Sequence, residues 1–380
     1  MTVGPATIAY QWFKRDHCHC PIGTNVTIGR DSRFHWRAII TMRRTQLMNR
    51  TTTGFASLLP DHGSNPVIGG LVGLLVGDAV GVPYEFNAPE DLPDRHHIDM
   101  VPPIGFGRSH GGVPEGSWSD DGAQALVLLD SLLECGKFSL TDFADRLLRW
   151  YDTGYLAVDG DVFDVGNQTA DALDQLRDGA SPRESGGKDV HSNGNGSLMR
   201  VLPLALWHTG SDEELVCDAH MQSRPTHAHA RSLVACAFYC LVARGYLNRL
   251  GDPWGWADQR LADIYENWSR EQERQVLLHE LGVLRSFPKT DKRRGTGYVV
   301  DTVHSVRWAL QEETFEGVIK TAILFGHDTD TTAAVAGGLA GIREGVAGVP
   351  VRWLEQLRGF DLVEPLLFGF GAGCTSGIQK

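Results

Sequence analysis

After the segment LPDHGSNP the sequence settles into a helical rhythm that continues to the C-terminus, and no convincing run of apolar–polar alternation interrupts it. In DDGAQALVLLDSLLE, Leu126, Leu129 and Leu133 recur on one face, and LTDFADRLLRWY repeats the habit. Similar runs follow at ARSLVACAFYCLVARGY, RLADIYENWSREQERQVLLHEL, DTVHSVRWAL and TFEGVIKTAILFG. A chain with this single period has nothing to pair into sheets and must bury helix against helix, so an all-α body is expected. Its 44 glycines are many for such a body, because glycine inside a helix costs about 1 kcal/mol relative to alanine. Two uses offset that cost: close approach of helices, and loops whose backbone amides face a ligand. Loops of that kind are expected at NAPEDLPDRHHIDMVPPIGFGRSHGGVPEG, RDGASPRESGGKDVHSNGNG and SFPKTDKRRGTG.

The longest apolar run, VIGGLVGLLVGDAVGVP, is too short for a membrane span and holds Asp78 inside it, so it reads as a buried helix. With 42% apolar and 22% charged residues over 380 positions, the composition is that of a soluble globular protein. The N-terminal stretch lacks the apolar core of a secretory signal. Seven scattered cysteines fit a reducing compartment better than a disulfide framework. A cytoplasmic protein without membrane association is expected.

Two segments concentrate carboxylates where an apolar helix begins. GSWSDDGAQALVLL carries Ser119, Asp120 and Asp121, and GHDTDTTAAVAGGLAG carries Asp328, Asp330 and Thr331. Ser, Thr and Asp are favoured N-caps, and acids suit the positive end of a helix, so either motif alone reads as capping. Capping uses one side chain per helix, however, and adjacent carboxylates repel and are costly to bury uncompensated. A divalent cation supplies the compensation. An all-oxygen donor set suits Mg2+, Mn2+ or Ca2+ and not zinc, and two such clusters meeting in space would hold two metals sharing a carboxylate. Glu85, in GDAVGVPYEF, reads on its own segment equally well as a solvated acid near a helix end.

Taken in order, GLLVGDAVGVPYEF, GSWSDDGAQALVLLDSLLE, DVGNQT, SNGNGSLMRVLPLAL, THAHARSLVACA, GYVVDTVHSVRWAL and GHDTDTTAAVAGGLAG resemble the ADP-ribosylglycohydrolases over roughly residues 65–360. The resemblance implies an orthogonal helical bundle with two Mg2+ ions per chain, or Mn2+ in their place. It implies hydrolysis of ADP-ribose from a modified protein, with arginine the commonest acceptor. Ser119, Asp120 and Asp121 would ligate one metal and Asp328, Asp330 and Thr331 the other, with an Asp bridging. Glu85 would position or activate water, so that Glu85, Asp120, Asp121 and Asp330 form the implied catalytic set. Ser192, Asn193, Gly194 and Asn195 would line the ADP-ribose pocket; by themselves, Asn-Gly pairs are turns, and a loop ahead of the apolar helix SLMRVLPLAL is an anion site. Asp164 and Gly166, in DVGNQT, match a segment placed against the distal ribose and its leaving group, and His227 matches a position near the pyrophosphate. Tyr298 would stack on or hydrogen-bond the adenosine side, where its alternative is core packing. Ser119 and Gly122 stand where many members carry Thr. His327 stands where glycine is common and would bring an extra donor towards the metals.

Residues 1–60 lie outside the resemblance. They carry eight Lys/Arg and two acids, a balance of +6 in a chain of net charge −12, which leaves −18 on the remainder. An upstream start codon, with Met48 as the alternative beginning, is one account. HCHC, from His17 to Cys20, offers half a zinc site without a second half, and the acidic body argues against nucleic acid. The other account is a partner-binding arm. As in immunity-type members of the family, Trp12, Phe13, Phe34 and Trp36 among arginines would fill the NAD cleft of an ADP-ribosyltransferase toxin. The expected organisation is thus a basic extension, 1–60, and a hydrolase domain, 61–380. The competing functions are a hydrolase of ADP-ribosylarginine (or of ADP-ribosylserine or another conjugate) and a binding protein that occludes a toxin.

Overall fold

The computed structural model describes residues 54–286 and 294–374; residues 1–53, most of the basic extension, lie outside the described part. Among the described residues there is no strand, only two isolated bridges, Gly187 with His227 and Gly194 with Tyr298. The longer helices are α1 (Pro66–Gly81), α2 (Asp120–Cys135), α3 (Leu140–Thr153), α4 (Asn167–Arg177), α5 (Leu202–Trp207), α6 (Asp212–Ser223) and α7 (Ala230–Leu247). They continue as α8 (Pro253–Glu266), α9 (Glu271–Arg285), α10 (Val299–Ala309), α11 (Phe315–Ile323), α12 (Thr329–Glu344), α13 (Val351–Gln356) and α14 (Phe360–Cys374). The all-α expectation holds.

α1 is the axis of the molecule. Asn65 caps it, accepting hydrogen bonds from the Val67 and Ile68 amides at 3.0 and 3.2 Å, and Pro66 opens its first turn, where no N–H is needed. Every residue from Ile68 to Gly81 is buried. Gly69, Gly73, Gly77 and Gly81 recur every fourth residue along one edge, and that edge lies against α12. A Cβ at Gly69 would strike the Gly341 carbonyl, one at Gly73 the Gly337 carbonyl, one at Gly77 the Ala333 carbonyl, and one at Gly81 the backbone of Asp330. The two helices therefore run antiparallel at backbone contact, which only glycine permits. This contact carries the site. It holds the C-terminal end of α1, with Asp78 and then Glu85, against the N-terminal end of α12, with Asp328 and Asp330.

Two expected helices differ in extent. SLMRVLPLAL becomes helical only at Leu202, because Pro203 is tolerated in a first turn and nowhere deeper, so Ser197–Arg200 remain turn. RLADIYENWSREQERQVLLHEL breaks into α8 and α9 at Asn267, whose side-chain amide donates to the Asp263 carbonyl at 2.8 Å and closes the first helix. The apolar run expected to be too short for a span extends, as a helix, over Pro66–Tyr84, which like Ala230–Leu247 is by length and composition sufficient to cross a membrane. Their most apolar windows are 94% and 72% buried, which makes them core helices of this fold.

Candidate active site

Three helix ends converge. Ser119 caps α2, its hydroxyl accepting from the Asp121 amide at 3.3 Å. A second cap comes from far away in sequence: the Asp78 carboxylate accepts from the Ser119 amide (2.9 Å to Oδ1) and the Gly122 amide (2.8 Å to Oδ2). Asp78 thereby fixes the start of α2 onto α1. The glycine at position 122 has a local cause, since a Cβ there would lie 2.8 Å from Trp118 and 2.9 Å from Leu75.

Asp121 lies between the two acidic clusters. Its Oδ2 accepts from the Ser119 hydroxyl and from the Thr331 hydroxyl, each at 3.3 Å, so it touches both α2 and α12. Asp330 Oδ1 accepts from the Thr331 amide at 2.9 Å, and Asp328 Oδ2 from the Asn195 amide group at 2.7 Å. Asp120 Oδ2 accepts from Gln124 at 2.8 Å, and Gln124 in turn accepts from Arg200 at 2.7 Å. Oxygens of Glu85, Asp328 and Asp330 all lie within 4.8 Å of one another.

Burial and mutual repulsion dominate this cluster. Asp78, Glu85, Asp120, Asp121 and Asp330 are at most 5% exposed. Burial first, and then the Asp330 and Asp328 charges, push Glu85 up to about 11. Burial and then Asp120 and Glu85 push Asp164 up to about 10, and burial raises Asp78 to about 7. Asp120, Asp121 and Asp330 are raised well above the usual carboxylate range, by burial first and then by a neighbouring acid: Asp78 beside Asp120, Asp330 beside Asp121, and Asp164 beside Asp330. So many buried acids cannot all ionise unless a cation joins them. Two oxygens mark where one fits: Asp121 Oδ1 and Asp330 Oδ2 are buried and have no hydrogen-bond partner. An orphaned buried carboxylate oxygen is rare and costly. With an all-oxygen donor set, the site is compatible with a hard divalent cation.

The remaining expected residues surround this centre at different distances. Asn195 is tied to it through Asp328 and also donates to Thr302 at 3.0 Å. The loop through Ser192, Asn193 and Gly194 is pinned to the start of α10, the Val299 amide donating to the Asn193 carbonyl at 3.0 Å and Gly194 bridging Tyr298. The Ser192 carbonyl accepts from Gln168 at 3.2 Å. Tyr298 caps α10 in position only; its hydroxyl accepts from Arg231 at 3.1 Å while its half-buried ring packs against the core, as the alternative reading expected. His227 is buried behind the loop, where a Cβ at Gly194 would lie 3.2 Å from its Nε2. Burial and then Arg200 drive His227 down to about 3, so its ring is neutral at physiological pH. Gly166 is the exposed residue before α4, and Asp164, with φ +57°, turns its carboxylate towards His110 Nε2, 3.7 Å away. His327 departs from expectation. Its backbone takes the left-handed conformation (φ +59°), which explains the usual glycine, but its ring is exposed and joins none of the acid clusters among the described residues.

Sequence reading missed four participants. Asp78 was visible as a lone acid in an apolar run, but its partners lie more than forty positions on, about where no local pattern reaches. His110, in a glycine-rich loop, meets Glu85 Oε2 at 2.7 Å. Arg200 is fully buried and spends its donors on Gln124, Gln222 and Thr226, with Gln124 carrying its influence to Asp120. A lone Arg and a lone Gln inside otherwise apolar runs were the available signal.

Comparison with known proteins identifies the family. The family model described as ADP-ribosylglycohydrolase matches residues 61–370. A protein of Serratia proteamaculans named ADP-ribosylarginine hydrolase Tri1 is 32% identical over 324 residues, covering 82% of this chain and 81% of that one. One of the same name from Pseudomonas putida is 34% identical, covering 82% of this chain and 79% of that one. A solved structure titled ADP-ribosylglycohydrolase-related protein complex superposes with a TM-score of 0.61 at 29% identity, covering 82% of this chain and 98% of that chain.

Proposed function

This chain is a member of the ADP-ribosylglycohydrolase family, and we propose that it hydrolyses ADP-ribosylarginine on proteins with two Mg2+ ions, replaceable by Mn2+, at the site described. The observation that carries this reading is the convergence of Ser119–Asp121 and Asp328–Thr331 through Asp121, with Asp121 Oδ1 and Asp330 Oδ2 buried and unpartnered. Arginine as acceptor follows the names of the relatives from Serratia and Pseudomonas.

Ser119, Asp120 and Asp121 would hold one ion and Asp328, Asp330 and Thr331 the other. When bound, the ions compensate the buried charge and act as Lewis acids towards ribose hydroxyls. In the reaction, a water oxygen bonds to the anomeric carbon and the carbon–nitrogen bond breaks. The electron pair leaves with the guanidine nitrogen, which gains a proton. Glu85, ionised when the cations compensate its neighbours, accepts the proton of the attacking water. The carboxylates around the anomeric carbon stabilise the positive charge that develops there. Asn195 fixes Asp328, and the loop of Ser192, Asn193 and Gly194, with His227 behind it and Tyr298 beside it, receives the ADP portion. Asp164 and Gly166 face the leaving side.

A panel of peptides carrying ADP-ribose on arginine or on serine, assayed with Mg2+ and with EDTA, tests this. Release from arginine alone, abolished by EDTA, is expected; EDTA-insensitive release, or none from arginine, would refute it. The charge asymmetry of residues 1–60 favours a second activity, neutralisation of an ADP-ribosyltransferase toxin in the cytoplasm. Inhibition of such a toxin by Asp330→Asn protein, lost on deleting residues 1–47, would establish it.

A further inference from the structure

The mouth of the site is built from two acid–aromatic pairs of opposite order: Glu85 followed by Phe86, and Phe163 followed by Asp164. His110 links them. Its Nε2 lies 2.7 Å from Glu85 Oε2 and 3.7 Å from Asp164 Oδ1, and its ring centroid lies 5.8 Å from that of Phe86 and 5.2 Å from that of Phe163. The imidazole is thus a flat, N–H-bearing group tilted between two phenyl rings, hydrogen-bonded to Glu85 with the Asp164 carboxylate close by. Those are the contacts a guanidinium makes: planar, nitrogen-rich, attracted to aromatic faces and to carboxylate oxygens.

Phe86 is held in this role at a cost. It is 64% exposed, and its backbone sits at φ +60°, the left-handed region that a phenylalanine avoids. The Phe86 amide donates to the His327 carbonyl at 2.6 Å, and the Ser109 hydroxyl donates to the Glu85 carbonyl at 2.8 Å, so the ring is presented by a fixed frame. Nothing in core packing calls for an exposed phenyl there.

We propose that Phe86 and Phe163, with Glu85 and Asp164, form the acceptor subsite, that it selects a planar guanidinium leaving group over a hydroxyl, and that His110 occupies the place which the substrate's guanidinium takes. The inference rests on the hydrolase reading above and concerns which acceptor that site prefers. For a guanidinium to take that place, the His110 ring must rotate off Glu85 while its backbone stays tied through Ser109 to the Glu85 carbonyl.

The test uses an arginine-ADP-ribosylated peptide as substrate and free ADP-ribose as a probe of the pocket that the two rings do not touch. In Phe86→Ala and Phe163→Ala, KM for the arginine-linked peptide should rise roughly tenfold, between the size of an exposed and that of a fully desolvated cation–aromatic contact. The ADP-ribose Kd, read by calorimetry, should stay within about twofold. In His110→Ala, KM should fall or hold while kcat changes less than about tenfold. Unchanged KM in a Phe86→Ala, Phe163→Ala double variant would overturn the inference, as would loss of ADP-ribose affinity in step with KM, which would mean a merely structural role. A wild-type enzyme that binds ADP-ribose but releases none from arginine would instead sink the hydrolase reading, and this inference with it.

Discussion

At the scale of single residues, the site trades stability for charge. Asp330 is buried with one orphaned oxygen among like charges. Asp330→Asn should therefore stabilise the metal-free protein by about 1–3 kcal/mol while removing nearly all turnover; chemical denaturation in EDTA, where a lower midpoint would count against the account, reads the first effect. Asp78 behaves oppositely, since its carboxylate accepts two backbone amides of α2. Asn at position 78 must turn an N–H towards one of them, and a loss of about 1–3 kcal/mol is expected in the same denaturation experiment. The contrast between these residues also shows what was legible. Asp330 stood out because it repeats within a motif of acids and hydroxyls. Asp78 did not, because a single acid in an apolar helix looks the same whether it caps a distant helix or merely tolerates burial.

Among elements, the α1–α12 contact decides where the acids meet. Gly77 faces the Ala333 carbonyl with no room for a Cβ, so Gly77→Ala should cost about 1–3 kcal/mol from overpacking and weaken metal affinity by separating the clusters. Gly282, exposed within α9 with nothing within 4 Å of its Cβ position, is the control; Gly282→Ala should stabilise by about 1 kcal/mol. Thermal melts of both variants check the pair, and equal effects would mean the close approach has no energetic role. Helical periodicity and glycine count made the class of fold and the existence of such a contact readable. Which glycines face which helix was not, because the four-residue spacing of Gly69, Gly73, Gly77 and Gly81 names an edge but not its partner. Helix ends set by Pro203 and Asn267 were similarly hidden, the first inside an apolar run and the second inside a helical rhythm that runs on past it.

For the whole molecule, the buried acids couple folding to pH and to cations. Asp78 at about 7, Asp164 at about 10 and Glu85 at about 11 all titrate above their ordinary values, so between those and the usual carboxylate range the folded, metal-free protein binds more protons than the unfolded chain. Stability then falls as pH rises through that window. A bound cation stabilises the ionised acids instead, so the Mg2+-dependent gain in melting temperature should grow from pH 6 to pH 9, by a few degrees or more; a gain that is flat or shrinks with pH would contradict this. The most direct measurement is anomalous diffraction from crystals of the protein grown with Mn2+. The account predicts density for manganese between α2 and α12, coordinated by Asp121 Oδ1 and Asp330 Oδ2. Crystals in Mn2+ with no anomalous density between these two carboxylates would contradict it.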